Sequence, residues 1–333
     1  MNKVLIIGAG RMGIRHLQGA LQVKDIEEVT ILDVRKNAID TAKETVAGDN
    51  RVSYGMIDQF VPQPYDICIV ASTAGNRKNV CELAQQCGCK YLMIEKPLGQ
   101  SYNEVEDLIL HLDTFPFTTV VNLNMRMYDP VLKLKRDLLT YPQLYGEKVI
   151  TLNTGTLGIG CNGIHYLDFV FFILNANRAE IVAAEVNDDV IPSGRGADFC
   201  DFGGWAMMNF FSGEDLLAKV FFSMSSKSTV FGGWEIVAPY GRIIIDEIAQ
   251  KRTTVLRKED SQMPLNRYAA DYLPYNEEPF VAPFPGDLTA KWISELLKGV
   301  NILPKAKESL QVHQLMFNWL SHSKTHHEIF PIT

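Results

Sequence analysis

Three clusters of residues in this 333-residue chain have the types and spacing to do chemistry. The first is Gly8-Ala9-Gly10-Arg11-Met12-Gly13. It follows a short apolar run, Lys3 to Ile7, and opens a stretch with helical spacing, the setting a dinucleotide-binding turn requires. Gly8 permits the turn, Gly10 lets the backbone approach a pyrophosphate, and Gly13 lets the helix pack closely on the strand. The helix N-terminus at Arg11 and Met12 then presents free N–H groups and partial positive charge to the phosphates. Asp33 closes the second strand about 20 residues beyond Gly13, where a carboxylate can accept hydrogen bonds from the adenosine ribose. It would repel the 2′-phosphate of NADP, so NAD is the expected cofactor. Arg35 could pair with that phosphate instead, or be a solvated surface charge.

The second cluster is Glu95-Lys96-Pro97, directly after the apolar run Tyr91 to Ile94. In open parallel sheets, ligands bind outside the carboxyl ends of the strands, so this tripeptide is expected to face the site. A residue before proline is pushed toward extended conformations, which restricts the backbone at Lys96. A lysine beside a positively charged nicotinamide has a lowered pKa and can exchange a proton with a substrate hydroxyl. The third cluster is Cys161-Asn162-Gly163-Ile164-His165-Tyr166-Leu167-Asp168. Imidazole titrates where a general base must, although a lone helical histidine is more often structural. Asp168 lies one turn on, on the same face; it either orients His165 or caps local backbone groups.

These clusters need a scaffold, and the hydrophobic periodicity supplies one. Lys3 to Ile7, Val29 to Leu32, Asp66 to Ala71, Tyr91 to Ile94 and Thr118 to Leu123 read as strands. Arg11 to Val23 (with Ile14, Leu17 and Leu21 on one side), Lys36 to Val46, Asn76 to Gln86 and Asn103 to Leu112 read as helices. This alternation predicts a parallel sheet with right-handed crossovers. After Asn124 the pattern changes. Asp129 to Leu139 and His165 to Leu174 read as helices around a strand at Lys148 to Asn153, and from Ala179 strands follow one another. Trp205 to Phe211 and Leu216 to Ser223 join through Ser212-Gly213-Glu214-Asp215; Trp234 to Ala238 and Arg242 to Asp246 join through Pro239-Tyr240-Gly241. Both are hairpin signals. Asp260 to Pro285 reads as a long loop, with closing helices at Leu288 to Leu297 and Lys307 to Leu320. The expected fold is α/β: a Rossmann dinucleotide-binding domain over residues 1–124, then an α+β substrate domain over 125–333 with a large, open, mainly antiparallel sheet. Trp205, Phe210, Phe211, Phe221, Phe222 and Trp234 give that sheet more apolar face than two helices can cover. A homodimer or homotetramer through it is therefore expected.

The glycine turn, the Glu-Lys-Pro after the strand Tyr91 to Ile94, and Gly163, His165 and Asp168 at their spacing together resemble the glucose–fructose oxidoreductase / inositol dehydrogenase / rhizopine-catabolism family, Gfo/Idh/MocA. Thr73-Ala74-Gly75 partly matches the family's T-P-N, and Leu303-Pro304, Ser309 and His313 resemble its closing helix. The resemblance implies an NAD-dependent sugar or sugar-nucleotide dehydrogenase with Lys96 and His165 as catalytic residues. It implies that Gly8, Gly10, Arg11, Met12, Gly13, Asp33, Arg35, Ser72, Thr73, Glu95, Lys96 and Pro97 line the cofactor. Lys96, Asn122, Arg126, Asn162, His165 and Asp168 would face the substrate. Arg126 could bind a carboxylate or phosphate, or form an ion pair at the domain junction. Cys161 departs from the family, which has aspartate there to orient the proton relay; Asn162 cannot act as a base. The implied reaction is hydride transfer between nicotinamide and a ring hydroxyl or ketone of a sugar, polyol or nucleotide sugar, in surface-polysaccharide biosynthesis. Two alternatives stand beside it: NAD-dependent glycoside hydrolysis or elimination with transient redox, and a catalytically weak NAD-sensing regulatory protein, for which Cys161 speaks.

Composition narrows the partners. A net charge of -7 argues against a nucleic-acid or anionic-membrane binder, both of which need a basic footprint. The chain is 47% hydrophobic and 21% charged, the balance of a soluble globular protein. No stretch approaches the roughly 20 apolar residues of a membrane span, and the N-terminal apolar run is too short for a signal peptide. A cytoplasmic location is expected. Of the cysteines, Cys87 and Cys89 are separated by Gly88 alone, which fits no common zinc spacing. Reduced structural thiols and no bound metal are expected.

Overall fold

The computed structural model describes residues 2–333 other than 76, 156, 226, 229, 231, 259–270 and 325–328. Short apolar strands build the first sheet. β1 (Asn2–Ile7), β2 (Ile26–Asp33), β3 (Val52–Met56), β4 (Ile67–Val70), β5 (Tyr91–Ile94) and β6 (Thr118–Val121) pair in parallel in the order β3-β2-β1-β4-β5-β6. Helices α1 (Arg11–Gln22), α2 (Lys36–Thr45), α3 (Arg77–Gln86) and α4 (Tyr102–Leu112) connect them. Sheets covered on both faces favour continuous apolar runs, and Val4, Leu5, Ile6, Cys68, Ile69 and Val70 are fully buried. β3 was not expected. It is a partly exposed edge strand, Val-Ser-Tyr-Gly-Met, paired only with β2, so it lacks that signature. The buried stripe of α1 is Gly13, His16, Leu17, Gly19 and Ala20 rather than Ile14, Leu17 and Leu21.

The chain divides into two compact units. The second comprises residues 128–282 and 315–327. Here α5 (Asp129–Thr140), β7 (Lys148–Thr154) and α6 (Ile164–Leu174) precede a run of strands: β8 (Arg178–Pro192), β9 (Cys200–Ser212), β10 (Asp215–Met224), β11 (Gly233–Ala238), β12 (Gly241–Asp246), β13 (Lys251–Leu256) and β14 (Asn276–Pro279). They form one sheet in the order β14-β13-β12-β11-β7-β10-β9-β8. β7 and β10 run parallel; the other neighbours are antiparallel. Both expected hairpins form, with Ser212 opposite Asp215 and Ala238 opposite Gly241. Gly213 takes φ 59° in the first, a conformation glycine adopts without steric cost. Within the expected loop 260–285, Asn276–Pro279 is instead the edge strand β14; 259–270 lie outside the described residues.

Side-chain alternation sorts the aromatics of this sheet. Phe210 and Trp234 are buried against α6, with Phe169 4.3 Å from Trp234 and Phe171 5.0 Å from Phe210 between ring centroids, and Phe222 is buried on the same face 5.8 Å from the Trp319 ring. Trp205 stacks on Phe221, and Arg178 lies over Phe211, on the opposite face. That face is open: Val149 is 50%, Met207 47% and Val237 40% exposed.

The first unit is completed by residues far along the chain: 283–314 and 328–333 join 1–127. The expected division at 124/125 is contiguous and leaves out this return. α7 (Pro285–Leu297) packs on α1 where a Cβ at Gly19 would lie 2.2 Å from the Gly286 carbonyl. The segment Pro304–Ala306 then pairs with β6: Val121 N–H donates to Pro304 at 3.0 Å and Ala306 N–H to Thr119 at 3.0 Å. Both edges of a parallel sheet expose unpaired backbone groups; this strip covers one of them. α8 (Leu310–Leu320) begins directly afterwards.

Candidate functional site

The strand order reverses between β1 and β4, and ligands of open α/β sheets bind at such a switch point, beyond the strands' carboxyl ends. The turn after β1 is Gly8–Gly13. Gly8 has φ 112°, and a Cβ there would lie 2.7 Å from the Ala71 carbonyl carbon of the loop after β4. A Cβ at Gly13 would fall 1.7 Å from the Gly8 carbonyl oxygen, so helix and turn meet only through glycine. At Gly10 the opposite holds: a Cβ would meet nothing nearer than Arg35 at 4.0 Å, and α1 has no side-chain cap on its first amides. Open space above uncapped helix N–H groups suits a pyrophosphate. Beside it, the Ser72 hydroxyl oxygen is buried with no hydrogen-bond partner. These features fit a dinucleotide. Arg11 is exposed and Met12 half-buried at the same helix start; Thr73 is exposed after β4.

Asp33 ends β2, nearly buried. Its Oδ2 accepts from Ala9 N–H at 2.7 Å, which ties it to the glycine turn. Its Oδ1 accepts from the Arg35 backbone N–H at 2.9 Å and from Arg35 Nε at 3.2 Å. Arg35 is thus folded back onto the carboxylate. NADH is therefore expected to bind more tightly than NADPH, and Asp33→Ala to narrow the gap. Fluorescence titration with both reduced cofactors measures this; equal or tighter NADPH binding would promote Arg35 to a phosphate ligand.

At the end of β5, Glu95, Lys96 and Pro97 are all buried, and the Lys96–Pro97 bond is cis. Glu95 belongs to a network the sequence did not announce. Its Oε1 receives Asn122 Nδ2 at 2.6 Å and faces His16 Nε2 at 2.9 Å, while His16 Nδ1 faces Thr289 Oγ1 at 2.8 Å. Burial would raise the Glu95 carboxyl, but the hydrogen bond and charge of His16, the charge of Lys96 and the Asn122 amide outweigh it. The carboxyl is held well below the usual range. One cluster therefore fastens α1, the end of β5, the end of β6 and α7 together. Asn122, expected at the substrate, is buried with its amide nitrogen on Glu95. Arg126 is half-buried in the turn Asn124–Met127.

Asn162, His165 and Asp168 lie together in the second unit. His165 and Asn162 are half-buried, whereas Asp168 is fully buried within α6. A π-helical turn, Ile159–Gly163, feeds that helix. It is held from β9 by Asp201, whose carboxylate accepts from Gly160 N–H at 2.9 Å and Cys161 N–H at 2.6 Å. Gly158 leaves room for it: a Cβ there would lie 2.0 Å from Asp201 Cγ. Behind α6, Tyr166 Oη donates to Glu247 at 3.0 Å; burial raises the Glu247 carboxyl, and burial with Glu247's charge pushes Tyr128 up to about 12. His16, Asp201 and Glu247 were not singled out because their partners lie far away in sequence. For His16, its place on the buried stripe one turn past Gly13 was the available signal.

Cys68, Cys81, Cys87 and Cys89 are buried, and burial pushes Cys81 up to about 12, the state of an inert thiol. Among the described residues, no group of three or more His, Cys, Asp or Glu is arranged to hold a metal ion, and no helix is long and apolar enough to cross a membrane.

Residues 2–117 match the family model described as "Oxidoreductase family, NAD-binding Rossmann fold", that of Gfo/Idh/MocA. Comparison with curated protein sequences gives no match. Among solved structures, the chain is similar to a super-repressor mutant of Gal80p from Saccharomyces cerevisiae (TM-score 0.74, 13% identity, 96% of each chain covered). It is similar to a levoglucosan dehydrogenase in complex with NADH (TM-score 0.73, 13% identity, 96% of each chain). A third is scyllo-inositol dehydrogenase from Lactobacillus casei with NAD(H) and scyllo-inositol (TM-score 0.68, 15% identity, 97% of each chain). At these identities the likeness is one of fold.

Proposed function

We propose, from the premise that residues 2–117 are the NAD-binding Rossmann domain of a Gfo/Idh/MocA-type oxidoreductase, that this chain is a dehydrogenase acting on a sugar, polyol or nucleotide sugar. A ring hydroxyl is oxidised, or the matching ketone reduced, and bound NAD supplies the hydride acceptor or donor. The observation that carries the reading is the end of β5, where a buried lysine follows a buried, ionised glutamate beside the glycine turn. Lys96 Nζ exchanges the hydroxyl proton, and His165 shares that task. Arg126 and Asn162 orient the substrate, while Asp168 supports His165 from within α6. With Cys161 where the family carries aspartate, the proton route rests on fewer groups. The dehydrogenases of similar fold, acting on levoglucosan and scyllo-inositol, support a polyhydroxylated ring as substrate. The reaction belongs in the cytoplasm, in surface-polysaccharide synthesis.

The test is a thermal-shift screen with NAD⁺ present and a panel of polyols, free sugars and nucleotide sugars, followed by NADH absorbance for each hit. A ligand of the folded state raises the melting temperature by mass action. Failure of every ring polyol to shift melting or consume NAD⁺ would count against the substrate class. A second reading, an NAD-sensing regulatory protein, is favoured by Cys161 and by the fold likeness to a Gal80p repressor mutant. NAD binding without turnover on any sugar, together with a protein partner, would move the assignment there.

The chain is also proposed to form a homodimer or homotetramer through the open face of the second sheet. A stable interface needs roughly 1,200–2,000 Å² of buried surface, and the exposed Val149, Met207, Phe221 and Val237 are the apolar residues this face offers toward it. Light scattering at micromolar concentration is expected to give a dimer or tetramer, and Met207→Glu with Phe221→Lys to give a monomer. A monomeric wild type would overturn this assembly.

A further inference from the structure

We infer that His313 is a positioning residue for Lys96. Its neutral imidazole is the acceptor that holds the loop after β5 through the backbone N–H of Leu98. This rests on the reading of Lys96 as the proton-handling group.

Leu98 is 1% exposed, so its N–H cannot turn to water. It donates to His313 Nε2 at 3.0 Å. The other ring nitrogen, Nδ1, lies 2.8 Å from the Ser309 carbonyl oxygen, which can only accept. The proton is therefore on Nδ1, and Nε2 is left as an acceptor. His313 is fully buried. An imidazolium would present two donors, one of them directed at the Leu98 N–H, itself a donor; a neutral ring alone satisfies the geometry.

The histidine is mounted on the strip that pairs with β6. Ala306 N–H donates to Thr119, Ser309 Oγ donates to Ala306 at 2.7 Å, and Ser309 offers its carbonyl to His313. β6 in turn pairs with β5, the strand that delivers Lys96. The loop is thus held at both ends: by β5 before Lys96, and by the imidazole after Pro97. The charged side chain that bears on the ring is Arg77 of α3, which is 2% exposed and donates to the carbonyls of Ser72 at 3.1 Å and Thr73 at 3.3 Å. Its guanidinium pins the loop after β4 and disfavours a second positive charge on His313. Burial first, then Arg77, lower the imidazole to about 4, against a raising effect of the Ser309 carbonyl.

The test compares His313→Gln, whose side-chain carbonyl can accept from Leu98, with His313→Leu, which fills similar space without an acceptor. Hydrogen exchange of residues 96–100 is read by mass spectrometry at pH 7, with NADH titration alongside. His313→Leu is expected to exchange at Leu98 at least about tenfold faster and to bind NADH about tenfold more weakly, the loss expected of one buried hydrogen bond. His313→Gln should recover most of both. Wild-type protection at Leu98 in a folded His313→Leu protein overturns the inference, and so does a His313→Gln protein as impaired as His313→Leu. Should His313→Leu not fold, the wild type decides. Exchange at Leu98, corrected for its intrinsic pH dependence, must then lose protection between pH 6 and pH 4 before β5 does; unchanged protection overturns the strut. The exchange measurements need no nucleotide, so a wild type that fails to bind NADH defeats the proposed function while leaving this test intact.

Discussion

Lys96→Met is expected to leave a folded protein that binds NADH and has lost turnover by about 10²–10⁴-fold, the contribution of a positioned acid–base group. Removing a hydride from an alcohol carbon requires its hydroxyl proton to leave as well, and on the proposed reading the buried lysine at the carboxyl end of β5 takes it. His165→Asn should follow with a smaller loss. Both should affect rate far more than cofactor affinity. The measurement is steady-state turnover with a substrate found by the thermal screen, beside NADH fluorescence titration for each variant. Retention of more than about a tenth of wild-type turnover by Lys96→Met lies below the smallest effect expected of such a group, and would end the assignment. Cys161→Asp is the informative companion. A rise in turnover would identify the cysteine as a weakened relay and shift weight to the regulatory reading.

Glu95→Ala is expected to destabilise the protein by about 3–5 kcal/mol, the cost of removing one partner of a buried charged pair. His16 and Asn122 would lose the oxygen they share, in a place water does not reach. Glu95→Gln keeps an acceptor there and should cost less. Urea unfolding followed by far-ultraviolet circular dichroism measures both. A loss under about 1 kcal/mol for Glu95→Ala would mean that the rest of the cluster holds without it. The pH dependence has a definite sign. Because the folded state holds this carboxyl below its ordinary value of 4.5, the unfolded chain binds the proton more readily. The stability is complete above that ordinary value and is lost progressively as pH falls below it. Glu95→Gln should remove this share of acid sensitivity.

Local pattern made much of the fold legible. The apolar runs of β1, β4 and β5 and the glycine turn declared a parallel dinucleotide-binding sheet, because strands buried on both faces cannot hide their composition. The hairpins at Gly213 and Pro239–Tyr240 were equally readable, since tight turns draw on few residue types. Edge strands β3 and β14 were not, being short, polar and half-solvated; β13 lies inside its sheet, but its residues Lys-Arg-Thr-Thr-Val-Leu are mostly polar, so its alternating burial left little hydrophobic pattern to read. The return of residues 283–314 to the first unit was invisible for another reason, as no local signal says which sheet a distant segment will meet. The same holds within the candidate site. Motif residues such as Gly10, Asp33 and Lys96 stand out by type and spacing. Their supports do not: Thr289 meets His16 across 273 positions, and His313 meets Leu98 across 215.

The strip Pro304–Ala306 along β6 bears on how the protein is made. A ribosome adds about 5–20 residues per second, so β6 is synthesised on the order of 10–40 s before the segment that covers its edge. Throughout that interval the nucleotide-binding sheet can assemble all its own strands and still present one bare row of backbone groups to solvent. Loop closure of that span is slow and late. Chaperone capture and misassociation of nascent chains should therefore concentrate in this window, and arrest of translation between residues 128 and 300 should yield chains that associate through β6 rather than independent nucleotide-binding domains.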